Sequence, residues 1–399
     1  MECTALRAAL LGLSVYRELR KEPVLDCTLR LLDALREEDG EGALDAYTAL
    51  FHTLRSAGCK GIGDWLWDRL CYTESPYALA AQGAGADPAL ADAARRDVDA
   101  LLALANTDCR RFLDAISFQL GEEFAPVLEH LPRWTVGASF DFEALTRFYQ
   151  VHGAGRFARY RAFLWEEGTL VPVADPDCPK PAELLGYEHQ RGQVEANTRQ
   201  LMAGRAANNV LLFGDGGTGK SATVKSMLYL PGMEDLRLIE VQKENLTGLP
   251  QLMRSLAGKR QKFILFIDDL AFDQDDKTYS SLKTILEGSL ERRPGNVVIY
   301  ATSNRRHLVR QNFSDRGSDE VDAAETISEK TALAERFGLR IPYLTMNKAG
   351  YLALVDYLAQ QAGITLAPET LHAQAMTWEI RHSGRTPRVA RQFIASLNP

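Results

Sequence analysis

The sequence is poor in the features that would staple, coat or insert it. Its six cysteines, at positions 3, 27, 59, 71, 109 and 178, form no Cys-x-x-Cys pair and no Cys/His cluster at zinc-ligand spacing. That argues against a zinc module and against a disulfide-framed secreted domain; the thiols read as reduced, small apolar residues of a cytosolic chain. Positive charge is not in excess: 46 Lys and Arg face 53 Asp and Glu, for a formal net charge of -7. A surface that coats nucleic acid or anionic membrane as a whole is thereby disfavoured, and only a local basic patch remains open. No segment approaches the roughly 18 consecutive apolar residues of a membrane span. The N-terminal LRAALLGLSVY, flanked by Glu2 and followed by Arg17, Glu18, Arg20 and Lys21, reads as an amphipathic helix rather than a signal peptide. The expectation is a cytoplasmic protein without membrane contact. No convincing fixed-period repeat is present, which disfavours a solenoid.

What is present is a chain of 399 residues, 46% hydrophobic and 25% charged, long enough for two or three domains. Before about residue 170, β-branched runs are rare and apolar residues recur at three- and four-residue spacing, as in VLDCTLRLLDAL, ALDAYTALFHTL and DVDALLALA. Turn clusters such as EEDGEG and GAGADP separate these stretches. The spacing predicts an all-helical domain over residues 1–175 with no recognisable chemistry of its own. Trp65 and Trp67 read as core residues in preference to an exposed partner site. The Pro- and Asp-rich LVPVADPDCPKPAEL breaks every periodic pattern and reads as an interdomain linker.

Beyond it the texture changes to short apolar runs: VLLF at 210–213, LRLIEV at 236–241, FILFI at 263–267 and VVIYAT at 297–302, each followed by helix-like sequence. That alternation predicts a parallel sheet covered by helices on both faces. The first run leads into GDGGTGKS, residues 214–221, which matches G-x-x-x-x-G-K-[ST] between a strand and a helix. The residue types suit phosphate. Gly214, Gly216, Gly217 and Gly219, with Asp215 and Thr218 between them, let backbone amides converge on phosphate oxygens, with Ala222 opening the helix beyond. Lys220 neutralises β- and γ-phosphate charge, and Ser221 offers an oxygen to Mg²⁺.

FILFI ends in Asp268 and Asp269, two like charges after a segment that looks fully buried. Such a pair is costly unless a cation answers it. With FILFI read as the strand beside the phosphate loop, Mg²⁺ and Lys220 supply the answer: Asp268 holds Mg²⁺ through water, and Asp269 orients or deprotonates the attacking water. A helix N-cap or loop aspartate pair is the plainer alternative.

The order of these features resembles the AAA+ ATPases. LLGYEHQRGQVEANTRQLMAG is similar to the AAA+ segment that packs on adenine, with Gly186 and Tyr187 in the matching places. VVIYATSNRRHL ends a strand in Thr302, Ser303 and Asn304, similar to the sensor-1 position, where a polar side chain meets the γ-phosphate or the water. LAERFGLRIPYL resembles the arginine-finger segment, with Arg336 in the finger's place; a surface ion pair with Glu335 or Glu329 is the alternative. The helical tail from Asn347 looks like the AAA+ lid, and SGRTPRVARQF resembles sensor 2, with Arg388 directed at phosphate and Arg391 one turn on. Arg381, Arg385, Arg388 and Arg391 also make a basic cluster that leaves a DNA-facing patch open. The acidic SDRGSDEVDAAE reads as a solvated loop. More narrowly, ANNVLLFGDGGTGKS, ILFIDDL, GNVVIYATSNRRHL and ERFGL resemble an uncharacterised bacterial group of AAA+ ATP-binding proteins, domain of unknown function DUF815. The resemblance extends over the helical region, with its specific motifs in residues 183–399.

The resemblance implies an α/β P-loop NTPase fold of AAA+ type, with a core over 183–346 and a helical lid over 347–399, preceded by the helical domain. It also implies ATP and Mg²⁺ as ligands, ADP as product, and a homo-oligomeric ring, with six subunits as one option. The N-terminal domain is the place for an unknown protein partner. Two departures shape the expectation. The family's usual Asp-Glu is Asp268-Asp269 here, which sets the second carboxylate back by one bond, roughly 1.5 Å; misplacement of that order costs about 10²-fold in rate, so slow hydrolysis is expected. QKENLTGLPQLM lacks the aromatic-apolar-glycine loop by which AAA+ unfoldases grip a polypeptide. A nucleotide-controlled switch with little turnover, and a DNA-associated loader or remodeller, are the alternatives.

Overall fold

The computed structural model describes residues 2–83, 85–271, 282–283, 285–286, 293–304, 333–382 and 384–397. The acidic stretch within 314–325 and Glu329 lie outside the described residues.

Two compact units divide the chain between Arg159 and Tyr160. The first is helical: α1 (Glu2–Leu11), α2 (Pro23–Arg36), α3 (Gly40–Ser56), α4 (Ile62–Cys71), α5 (Pro76–Ala81), α6 (Pro88–Ala105), α7 (Cys109–Leu120), α8 (Ala125–Glu129), α9 (Phe142–His152) and α10 (Arg156–Arg159). Short polar residues start several of these helices by capping free N–H groups: Asp39 accepts from Gly42, Ser75 from Ala78, Asp87 from Ala89 and Leu90, and Asp108 from Arg110. Leu31, Leu50, Leu101 and Phe112 meet in one core. Trp65 is buried there, and Trp67 packs on Phe140 and Phe148 with ring centroids 5.0 and 5.7 Å away, as the core reading expected. Asp97, buried on α6, accepts the N–H groups of Ser14, Val15 and Tyr16 at 2.7–3.0 Å, which satisfies the turn after α1.

The second unit is built on a seven-stranded sheet in the order β2-β1-β4-β5-β6-β3-β7. The strands are β1 (Ala162–Glu166), β2 (Thr169–Val173), β3 (Val210–Gly214), β4 (Leu236–Val241), β5 (Lys262–Ile267), β6 (Val297–Ser303) and β7 (Leu339–Tyr343). All described pairings are parallel except β1 with β2. In β5 and β6 nearly every residue is buried, whichever face it points to, because both faces of the sheet are covered.

The first two strands correct the expected domain boundary. Residues 162–173 belong to the sheet and not to the end of a helical domain reaching 175, and the first four residues of the proposed linker, 170–173, lie in β2. The cause is a two-residue turn: Glu167 and Gly168 both have positive φ, 46° and 81°, which matches the twist of a tight hairpin. Phe163 and Trp165 of β1 are buried, and β1 closes the edge of β4.

The chain crosses the sheet through α11 (Glu188–Met202), α12 (Lys220–Ser226) and α13 (Leu249–Leu256). Three further helices, α14 (Lys348–Gln361), α15 (Pro368–Arg381) and α16 (Pro387–Leu397), carry a core of their own around Tyr351, Val355, Ala375, Ala390 and Phe393. Asn347 caps α14 through Gly350 N–H at 2.8 Å, so the helical tail begins where the sequence suggested. The six cysteines are free thiols. Among the described residues no helix is long and apolar enough to cross a membrane.

Candidate functional site

Strand β3 ends at Gly214, and the chain turns over the sheet edge into α12. Gly214 needs its freedom: φ is 129°, and a Cβ there would meet the Tyr343 carbonyl at 2.3 Å, because β7 runs alongside. Asp215 N–H donates to that same carbonyl at 2.9 Å, and Asp215 Oδ2 accepts from Thr345 N–H at 2.7 Å. Thr218 Oγ1 donates to the Asp215 carbonyl at 2.8 Å. Loop GDGGTGKS is thus tied to β7 and to itself before any ligand arrives.

Lys220 is buried, and its Nζ donates to the carbonyls of Gly214 and Asp215 at 3.0 and 2.7 Å and to Asn304 Oδ1 at 2.9 Å. Burial pushes the ammonium pKa below its ordinary value, while the charges of Asp215, Asp269 and Asp268 pull it back up. Ser221 Oγ donates to Asp268 Oδ1 at 2.6 Å. Asn304 Nδ2 donates to Asp269 Oδ1 at 2.9 Å. Sequence-distant groups therefore form one chain of hydrogen bonds: Asn304 links Lys220 to Asp269, and Ser221 meets Asp268.

The expected adjacency of FILFI to the phosphate-loop strand does not hold. Strand β6 lies between β5 and β3. Asp268 still reaches Ser221, because the carboxylates stand beyond the strand end and are exposed there, outside the buried run. It is β6 and the residue just beyond its end that supply the bridging groups, Thr302 and Asn304.

A cavity of about 560 Å³ opens over this network. Phosphate-loop residues 216–222, Asp268, Asp269 and Asn304 line it from the sheet, Tyr187 from the segment before α11, and Arg388 and Arg391 from α16. Tyr187 sits in the left-handed region with φ 56°, stacks on Tyr343 with centroids 5.0 Å apart, and donates its hydroxyl to the Leu344 carbonyl at 2.6 Å. Burial raises its phenol pKa to about 12. The start of α16 rests on the loop: Arg388 N–H donates to the Gly217 carbonyl at 3.3 Å, and a Cβ on Gly217 would meet Thr386 Oγ1 at 3.1 Å and Arg388 Cβ at 3.2 Å. Arg391 donates to the Glu183 carbonyl.

Arg336 is different. It is exposed, just before β7, and is not among the residues that line this cavity. Thr302 stood in the sensor-1-like stretch without a role of its own, and Thr386, Tyr343 and Arg191 lie inside the other family-like segments without having been singled out.

The donor set suits Mg²⁺. Ser221 hydroxyl and Asp268 carboxylate are hard oxygen ligands side by side, and Mg²⁺ keeps waters and takes the rest of its shell from phosphates. Among the described residues no three His, Cys, Asp or Glu side chains gather to hold a metal by themselves.

The sheet, the phosphate loop, the acidic strand end and the helical tail together make an α/β P-loop NTPase fold of AAA+ type, with an all-helical unit before it. Among solved structures, a substituted form of Thermotoga maritima RuvB is similar at 15% identity over 54% of this chain and 63% of that one, with a TM-score of 0.38. Another, described as Thermotoga maritima RuvB Holliday junction branch migration motor, is similar at 13% identity over 55% of this chain and 72% of that one, with a TM-score of 0.33. The chain thus spans less than two thirds of the first of these. No curated protein matches it. The family match begins at residue 158, so the helical unit lies outside it, where the sequence resemblance was expected to extend. Since residues 158–399 match the family described as Protein of unknown function (DUF815), the chain belongs to that family.

Proposed function

We propose that this protein binds ATP with Mg²⁺ and hydrolyses it slowly to ADP and phosphate, as a subunit of a homo-oligomeric ring whose helical unit engages a protein partner. The observation that carries this reading is the convergence of phosphate loop and carboxylates: Ser221 lies 2.6 Å from Asp268, Lys220 is bridged to Asp269 by Asn304, and all line one cavity. In the reaction Lys220 turns from its loop carbonyls toward the β- and γ-phosphates, while the loop amides hold the remaining oxygens. Ser221 and Asp268 would hold Mg²⁺, which would offset phosphate charge when bound. Asp269 orients water for attack on the γ-phosphorus, with Asn304 fixing its carboxylate. Arg388 meets phosphate from the lid, and Tyr187 flanks the base. Arg336, outside its own cavity, serves the neighbouring subunit.

Titration calorimetry with ATP and Mg²⁺ tests the binding half. Saturable binding by the native chain that Lys220→Ala removes is expected; no binding, or equal binding by both, contradicts the reading.

A second reading, a nucleotide-controlled switch with little turnover, is favoured by Asp269 being one bond shorter than the family's glutamate. ATP-dependent assembly without phosphate release would identify it. The DNA-loader alternative gains less: of the basic cluster, Arg385 lies 3.7 Å from Glu379, Arg391 holds the Glu183 carbonyl, and Arg388 lines the nucleotide cavity.

A further inference from the structure

Where β5 ends, the chain makes a turn that an L-residue adopts reluctantly. Asp269 has φ 50°, in the left-handed region, and it is not glycine. Such a conformation persists only where its surroundings over-determine it. Within the turn Asp268 Oδ1 accepts the Asp269 N–H at 3.2 Å, and the remaining constraint comes from one residue of the neighbouring strand. Thr302, 2% exposed, accepts the Asp269 N–H on its Oγ1 at 2.9 Å, donates that hydroxyl's proton to Asp268 Oδ1, and accepts the Leu270 N–H on its carbonyl at 2.7 Å. A hydroxyl has one proton and two lone pairs, and here it uses both capacities on adjacent residues of the same turn.

The turn decides where Asp269 points. Continued extension would send the side chains of residues 268 and 269 to opposite faces. With the turn, Leu270 returns to the core, fully buried, and the Asp269 carboxylate reaches Asn304 Nδ2 at 2.9 Å, two residues beyond Thr302 and just past the end of β6. We propose that Thr302 is the positioning residue for hydrolysis: it locks the Asp268–Asp269 turn in its left-handed form and so aims the short Asp269 side chain at the water-orienting place. The inference rests on the hydrolytic reading above and deepens it.

The test compares Thr302→Val, which keeps the shape and loses the hydroxyl, with Thr302→Ser, which keeps the hydroxyl. Under saturating Mg²⁺ and ATP, Val lowers kcat by about 30-fold while the ATP Kd moves by less than about threefold, and Ser restores kcat to within about threefold. In an Asp269→Asn background, Thr302→Val costs nothing further, because the group it positions is already gone. The proposal is overturned by an unchanged kcat in Thr302→Val, by loss of ATP binding there, by equal losses in Val and Ser, or by additive losses in the double variant. If Val fails to fold, Thr302→Ala replaces it; failure of both to fold while Ser folds also overturns the proposal, since the hydroxyl then serves folding. A native chain that releases no phosphate sinks the hydrolytic reading and this proposal together, whereas an active native chain with an unaffected Val variant sinks only this one.

Discussion

Asn304 accepts a hydrogen bond from Lys220 Nζ on one side of its amide, at 2.9 Å, and gives one to Asp269 from the other, also at 2.9 Å. The two contacts demand opposite ends of the same amide, so its orientation is set by its partners. Asn304→Asp keeps an acceptor for Lys220 but replaces the donor to Asp269 with a like charge. The expected result is loss of about 10²-fold in kcat with ATP still bound, because like charges at that range push one carboxylate to protonate or turn away. Steady-state kinetics beside ATP titration checks it; parallel loss of binding and turnover would assign Asn304 to the phosphate-binding set.

Gly217 tests the contact between α16 and the phosphate loop. Its φ is 75°, and Thr386 and Arg388 already stand at 3.1 and 3.2 Å from where a Cβ would be. Gly217→Ala therefore strains the loop and pushes against the start of α16. A folded protein with about tenfold weaker ATP binding is expected, since Arg388 loses its seat. Unchanged affinity would separate α16 from the site.

The unit boundary predicts how the chain can be cut. A fragment starting at Tyr160 keeps β1 and β2 and should be soluble and bind ATP. One starting at residue 176 loses buried Phe163 and Trp165 and leaves β4 as an open edge, which invites aggregation. Expressing both and comparing solubility and ATP-induced thermal shift checks this. Equal behaviour would return β1 and β2 to the status of a linker.

Arg336 carries the shared-site idea. Arg336→Ala should bind ATP nearly normally and hydrolyse it poorly, because a neighbour's arginine stabilises only the transferring phosphoryl group. Mixed with Lys220→Ala, it should recover part of the activity, since one subunit keeps the phosphate loop and the other the arginine. Co-assembled mixtures that stay inactive would place Arg336 in its own subunit or outside the reaction.

Legibility followed burial. Strands β3, β5 and β6 are apolar runs because they are buried on both faces, and the phosphate loop is legible because its chemistry leaves few residue choices. The β1–β2 hairpin was hidden: its sequence enters directly from helical texture, and β2 is half exposed, so no long apolar run marks it. Strand order is another matter. Period-two and all-apolar patterns tell that a strand is buried but not which strand it pairs with, and so β6 slipped between β5 and β3 unannounced. Thr302 was legible as part of the sensor-1-like stretch but not as a partner of the acidic turn, and a left-handed Asp269 has no local signature when the constraint comes from 33 positions away.

The division of labour between Lys220 and Asp269 is the most direct point to measure. Phosphate release and ATP affinity should be followed together for the native chain, Lys220→Ala and Asp269→Asn, with a chelated control lacking Mg²⁺. Lys220→Ala should lose tight ATP binding, because it removes the cation facing the β- and γ-phosphates. Asp269→Asn should keep ATP and lose most turnover, and chelation should stop phosphate release in the native chain. Equal loss of affinity in both variants, or phosphate release that survives Asp269→Asn, would contradict an ATP hydrolase working through this site.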